Sequence, residues 1–313
     1  MRVVITGAAG FVASGVADAI ANDLNCLGAP ITDLVLADIS SGTTKGRWIT
    51  GDLSDPTHIA ELLAEPIDVF LHLASLPGGM AETHPALGRA VNLTASLALM
   101  GGLAQQCRDN GPKARVVFAS SIAAMGALGP HTVDETHPAA PNSSYGAHKQ
   151  MIEIHIADLS RRKEIDGISL RLPGIVARPF GASGFGSAFM SDLFHAAAAA
   201  KPYSCPVSQE ATIWWMSRVI AIDNILHAAR LDTAILNPDR MVLLPALFAS
   251  MNDVMEGLAD HYGTTAVSRI SFSPDPKIEA LFGSYPLINN ATALGYDFGM
   301  DVDVATLIKN TGI

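Results

Sequence analysis

Hydrophobic residues in the first half of the chain gather in short unbroken runs. Between the runs lie longer stretches in which apolar positions recur every three to four residues. The runs VVIT, LVLA, VFLHLA and VVFAS predict strands over Arg2–Thr6, Asp33–Asp38, Ile67–Ala74 and Arg115–Ser120, with a further one over Ile168–Leu172. A strand that is apolar on both faces is covered on both faces, as in a parallel sheet between helical layers. The intervening stretches predict helices near Phe11–Leu24, Pro56–Ala64, Pro85–Arg108 and Ser144–Lys163. The alternation predicts an α/β fold, a Rossmann-type doubly wound parallel sheet.

The texture changes after residue 172. Gly, Pro and Ser concentrate in Pro173–Gly186, which reads as a loop system. A helix over Ala188–Ala200, a strand over Ala211–Met216, a helix over Asp223–Leu231, a strand over Arg240–Leu244 and a helix over Asn252–Tyr262 follow. Asp223 is placed to cap its helix as first residue. The expected organisation is a sheet domain over 1–172 and a smaller C-terminal α/β lobe over 173–313, partly interleaved with the first.

Composition narrows the classes. Of the 313 residues, 49% are hydrophobic and 16% charged, which excludes disorder as the main state. The net charge is −10 and no run of Lys or Arg occurs, so a nucleic-acid face and an anionic membrane surface are both excluded. Cys26, Cys107 and Cys205 are widely spaced and form no CxxC, which argues against a disulfide framework and a metal site. A reducing compartment fits. The N-terminus imitates a signal peptide, but glycines interrupt the apolar stretch and Asp18 stands where cleavage would fall. No uninterrupted apolar run spans a bilayer, and a cytoplasmic protein is expected.

The first strand runs straight into Gly7-Ala8-Ala9-Gly10-Phe11-Val12-Ala13. Gly7 allows a sharp turn, Gly10 lets the backbone approach a pyrophosphate, and a small residue at 13 lets helix and strand pack closely. The helix start then offers free N–H groups and a positive dipole end to phosphate. The alternative is a plain tight turn, but strand before and helix after is the context a dinucleotide site requires. Asp38 ends the second strand. Its carboxylate can take both hydroxyls of an adenosine ribose and repel a 2′-phosphate, which favours NAD over NADP. It could instead only cap the next turn. Asp52, in Gly51-Asp52-Leu53, is placed to accept from an adenine amino group. His72 lies in an apolar strand and reads as a hydrogen-bonded core histidine.

Tyr145 and Lys149 stand one helical turn apart on one face. A phenol is a poor base at neutral pH, and a nearby ammonium favours its phenolate. Ser121, at the end of VVFAS, can hydrogen-bond a substrate oxygen. Together the three can take an alcohol proton while hydride leaves for a nicotinamide ring. Alone, the Tyr–Lys spacing also fits an exposed tyrosine on an amphipathic helix. The glycine turn and the Ser120-Ser121 pair are what favour chemistry.

With those residues in place, the chain resembles the extended short-chain dehydrogenase/reductases of the epimerase/dehydratase type over about residues 1–230. The matching segments are TGAAGFVA, LVLADI, GDLSD, LHLAS, VNLTAS, VFASSIAAMG, SSYGAHK and LRLPGIVARP. The resemblance implies catalytic roles for Ser121, Tyr145 and Lys149. It implies cofactor positions at Gly7, Gly10, Phe11, Val12, Asp38, Asp52, Leu53, Ala74, Asn92, Tyr145, Lys149 and Pro173. Two departures stand out: Ala13 replaces the third glycine, and Met125 replaces an aromatic on the substrate side. A finer likeness, to D-erythronate dehydrogenase-like members, rests on SSYG, LRLP, Cys205-Pro206-Val207, WWMSR and the helix NILHAA.

The expected activity is oxidation of a secondary hydroxyl on a small polyhydroxy acid by NAD, with Tyr145 as base. Two alternatives stand beside it: a nucleotide-sugar 4-epimerase that keeps its NAD, and a non-catalytic NAD-sensing regulator. A nucleotide sugar would need several cations and a stacking aromatic. From 174 onward the Arg residues are only Arg178, Arg218, Arg230, Arg240 and Arg269, and one Arg suffices for a carboxylate. Arg178 and Arg218 are the candidate clamps; a surface salt bridge is the alternative for each, less favoured for Arg218 by its apolar neighbours. Ser75 and Ser121 are candidates for the hydroxyls, and Trp214, Trp215 and Met125 for the pocket wall. The small and apolar residues of Pro85–Arg108 and Ser144–Lys163, with the resemblance, predict a homodimer through a four-helix bundle.

Overall fold

In the computed structural model, which describes residues 1–181 and 186–313, the apolar runs become β1 (Arg2–Thr6), β2 (Asp33–Asp38), β4 (Val69–His72), β5 (Arg115–Ser121) and β6 (Asp166–Leu172), and a short, largely exposed strand, β3 (Arg47–Thr50), follows β2. With Met241–Leu243 they form a seven-stranded sheet in the order Met241–Leu243, β6, β5, β4, β1, β2, β3. β1 pairs in parallel with both β2 and β4, so the strand order reverses there. Every residue of β1 and β4 is buried, as a strand covered on both faces requires. Ligands of such sheets bind at the C-terminal strand ends beside the reversal.

The helices are α1 (Phe11–Asn22), α2 (Pro56–Leu62), α3 (Gly78–Thr83), α4 (Pro85–Arg89), α5 (Ser96–Arg108) and α6 (Ser144–Arg161). Asp55 caps α2, and Ser143 caps α6 by accepting from the Gly146 N–H at 3.1 Å. α4 and α5 are joined through a π-helical turn, Ala90–Ala95, within the single helix expected there. Leu99, Met100 and Leu103 of α5 and Ile152, Ile156 and Leu159 of α6 join Phe70 and Phe118 in one apolar core. α3 has no counterpart among the expected elements.

The chain divides into two compact units. One comprises Met1–Gly126, Ala139–Arg171 and Ile222–Leu243 and carries the sheet; the other comprises Ala127–Pro138, Leu172–Ala221 and Leu244–Ile313. In the second unit Gly174–Val176, Thr212–Ser217 and Leu247–Ser250 form a three-stranded sheet. Its core gathers Phe194, Trp215, Val254, Leu258 and Leu307.

Three expectations change. The Pro173–Gly186 stretch holds a short strand at Gly174–Val176, and its residues 182–185 lie outside the described residues. The helix expected from Asp223 spans Arg218–Arg230. Asp223 is therefore interior, and Ser217 does the capping, accepting from the Ile220 N–H at 3.4 Å. Trp214 and Trp215 alternate to opposite sides of a strand that is buried on both. Both are fully buried, and their indole N–H groups donate to the carbonyls of Pro286 at 2.7 Å and Ala249 at 3.1 Å. Trp215 is thus a core residue of its unit, with no surface left for a ligand.

Candidate active site

The turn after β1 is built as a cradle. Gly7 holds φ at +72°, and a Cβ there would lie 2.7 Å from the Ala74 backbone. A Cβ on Gly10 would lie 2.9 Å from the Gly7 carbonyl. Neither position admits a larger residue, so backbone, not side chain, faces the space ahead of α1. Gly10 starts α1 without a side-chain cap, and the positive end of the helix dipole there favours an incoming anion. Phe11 and Val12 open this helix. The residues present fit a dinucleotide pyrophosphate.

Asp38 closes the same end of the sheet. Its carboxylate accepts from the Ala9 N–H at 2.9 Å and the Ile39 N–H at 2.7 Å. The acid that would hold a ribose therefore also fixes the glycine turn. Ile39 beside it exposes 76% of its surface, an apolar platform that sequence reasoning passed over. Asp52 accepts from the Ser54 N–H at 2.8 Å in a local turn, with Leu53 buried next to it. Replacing Asp38 by Ala should narrow the ratio of kcat/KM for NAD over that for NADP by about tenfold or more, the scale of a charged hydrogen bond; steady-state kinetics with both cofactors checks it.

Asn92 is placed by the π-helical turn, a feature common at functional sites. Its amide accepts from the Leu76 N–H at 2.7 Å and donates to the Leu76 carbonyl at 3.0 Å. It thus clamps the segment that carries Ala74 and Ser75. The Ser75 hydroxyl donates to the Leu76 carbonyl at 3.4 Å. His72 is a core histidine: Nδ1 meets the Thr6 hydroxyl at 2.7 Å and Nε2 the Ser96 hydroxyl at 2.8 Å. Its ring stacks between Phe70 and Phe118. Burial, aided by Lys149, pushes its pKa down to about 3, so it stays neutral.

Ser121, Tyr145 and Lys149 all lie in the sheet unit. Ser121 ends β5, and its hydroxyl accepts from the Ala123 N–H at 3.2 Å. Tyr145 and Lys149 occupy the first turns of α6, with the Lys149 Nζ 5.4 Å from the Tyr145 ring centroid. That Nζ donates to the Ala119 carbonyl at 2.7 Å and lies 4.7 Å from the Phe118 ring centroid. α6 reaches the end of β5 because residue 146 is glycine: a Cβ there would lie 2.1 Å from the Ala123 carbonyl. Burial pushes the Lys149 pKa down to about 7, opposed by Glu153. Two residues that sequence reasoning left without a role, Gly146 and Glu153, therefore shape this site.

Met125 departs from expectation. It is fully buried behind the turn Ile122–Ala124 and so has no surface with which to touch a substrate. Pro173, Arg178 and Arg218 belong to the second unit. The Arg178 backbone is held at both ends, its N–H donating to Ser191 Oγ at 2.9 Å and its carbonyl meeting His195 Nε2 at 2.7 Å. Arg218 is half-buried and opens its helix. The Ser217 N–H before it donates to the fully buried Asp301 at 2.7 Å.

Over 315 residues the chain is 31% identical to the D-erythronate dehydrogenase of Haemophilus influenzae, covering 99% of this chain and 98% of that relative. It is 32% identical to the D-erythronate dehydrogenase of Cupriavidus necator, over 100% of this chain and 99% of the relative. Among solved structures, the nucleoside-diphosphate-sugar epimerase from Agrobacterium tumefaciens superposes with a TM-score of 0.91 at 29% identity. That match covers 98% of this chain and 92% of the other. The NAD dependent epimerase/dehydratase family matches residues 3–233. The chain belongs to the NAD dependent epimerase/dehydratase family, and its cofactor is NAD.

Proposed function

We propose that this NAD-dependent dehydrogenase oxidises a secondary hydroxyl of a small polyhydroxy acid resembling D-erythronate. The observation that carries the reading is the end-to-end likeness to two proteins named D-erythronate dehydrogenase. Within the sheet unit, Tyr145 Oη takes the proton of the reacting hydroxyl, and Ser121 Oγ holds the oxygen that proton leaves. Lys149 as an ammonium ion favours the phenolate and binds ribose hydroxyls. Gly7, Gly10, Phe11 and Val12 hold the pyrophosphate, and Asp38 the adenosine ribose. Ala74, Asn92 and Pro173 shape the nicotinamide end. Bound NAD supplies the hydride acceptor. We assign the acid's carboxylate to Arg218, with Arg178 as a second cation, and its further hydroxyls to Ser75.

The test is a panel of four- to six-carbon aldonates and uronates beside UDP-glucose, scored by NADH formation. The acids should reduce NAD, and Arg218→Ala should raise KM for the acid by about tenfold or more, the scale of a lost charged contact. Turnover of UDP-glucose without any acid substrate would overturn the reading. The similarity to an epimerase of known structure keeps 4-epimerisation as the second reading. It predicts bound NAD and no net NADH.

We also propose a homodimer through α5 and α6. Leu97 on α5 and Met151 and Ile154 on α6 expose 38%, 43% and 62% of their surface, and Leu87 of α4 exposes 40%. Pro85–Arg108 is long and apolar enough to cross a membrane by those measures alone, with 39% of that window buried. Its inner side packs on the sheet, and the uncovered remainder suits a twofold mate. Light scattering at micromolar concentration should give twice the chain mass; a monomer mass refutes it. The three cysteines are unpaired, which fits a reducing compartment, and we place the enzyme in the cytoplasm.

A further inference from the structure

We propose that Glu153 is a positioning residue for this reaction: a buried carboxylate, clamped by Arg171 and Ser120, that keeps Lys149 an ammonium ion. The last residues of β5 turn to different tasks. The Ala119 carbonyl accepts from Lys149 Nζ at 2.7 Å, Ser120 Oγ donates to Glu153 Oε1, and Ser121 Oγ accepts from the Ala123 N–H at 3.2 Å. Glu153 stands one turn beyond Lys149 on the same face of α6. Arg171 of β6 grips it with two prongs, Nε to Oε1 at 3.0 Å and Nη2 to Oε2 at 2.7 Å. Lys149, Glu153 and Arg171 are 2%, 4% and 4% exposed.

The cluster thus holds two cations and one anion away from water. Arginine does not surrender its proton in proteins, whereas a buried lysine readily does. Lys149 is therefore the member that yields, and it has already been pushed down to about 7 by burial, with Glu153 pulling it up. The other groups around it are Tyr145 on its own helix and the neutral His72 on β4. The Glu153–Arg171 pair looks like a structural brace. A brace alone does not give its two ends opposite effects on a third group. Without Glu153, Lys149 is left with a buried cation and should lose its proton more easily. Without Arg171, it is left with an unshared carboxylate and should hold its proton more tightly.

The inference rests on the proposed role of Lys149 beside Tyr145, and its test needs neither cofactor nor substrate. Lysines are labelled with carbon-13 at Cε, and the Lys149 signal, assigned by its loss in Lys149→Met, is followed through a pH titration of the full chain. Glu153→Gln should lower the midpoint by about one unit or more, a tenfold drop in protonated amine above both midpoints. Arg171→Gln should raise it, Ser120→Ala should raise it less, and Glu153→Asp should lie near wild type. Folded Glu153→Gln and Arg171→Gln with unchanged midpoints, or midpoints that move the same way, would overturn the proposal. If Glu153→Gln does not fold, Arg171→Gln and Ser120→Ala decide, and the absence of an upward shift in both sinks it. Opposite shifts in a protein that oxidises no acid would uphold the proposal while refuting the dehydrogenase reading.

Discussion

Tyr145→Phe should lower kcat by about 10³-fold, within the range expected for loss of a general base. The change removes one oxygen and leaves the ring, so helix α6 and its neighbours keep their packing. Gly78, whose Cβ would lie 3.7 Å from that ring, still fits beside it. Lys149 remains on the Ala119 carbonyl, so the affinity for NAD should change little. Turnover, NAD affinity and melting temperature measured together separate the two outcomes. A variant that keeps most of its kcat would require a different base.

Gly146→Ala should cost about 10²-fold in kcat/KM, although it touches no reacting group. By helix propensity alone the change should stabilise α6 by about 0.5–1 kcal/mol. The added Cβ, however, would sit 2.1 Å from the Ala123 carbonyl and 3.1 Å from the Pro141 side chain. Overpacking of this kind costs roughly 1–3 kcal/mol, so the net effect on stability is negative. Relief requires α6 to retreat from the end of β5 by about 1 Å, and misplacement on that scale costs about 10²-fold in rate. Tyr145 and Lys149 move with the helix while Ser121 stays on its strand. A lower melting temperature with reduced kcat/KM is the expected pair of results. A stabilised, fully active variant would mean that α6 is seated elsewhere.

The sheet was legible because burial on both faces leaves unbroken apolar runs, as in VVIT and VFLHLA. Its edges were less so: the strand expected over Ile67–Ala74 is Val69–His72, since the apolar run extends beyond the residues paired with β1 and β5. Asp223 misled because an acid near a helix start is a good cap, yet Ser217 already capped the helix a turn and a half earlier. Trp214 and Trp215 suit a pocket wall as well as a core by residue type alone, and period-two alternation does not say whether both faces are covered. The π-helical turn that aims Asn92 leaves no mark in composition. Glu153 lay hidden for the opposite reason: a carboxylate on an amphipathic helix reads as a solvated residue until Arg171, on a distant strand, is found paired to it. Gly146 sat inside the Tyr–Lys motif, but the close approach that demands glycine there exists only in three dimensions.

The most direct test of the dehydrogenase reading is the yield of NADH when the purified protein is mixed with excess NAD and D-erythronate. Net oxidation through Ser121, Tyr145 and Lys149 predicts many equivalents of NADH per subunit, abolished by Tyr145→Phe. No net NADH from any small acid, together with interconversion of UDP-glucose and its 4-epimer by protein that retains its NAD, would contradict it.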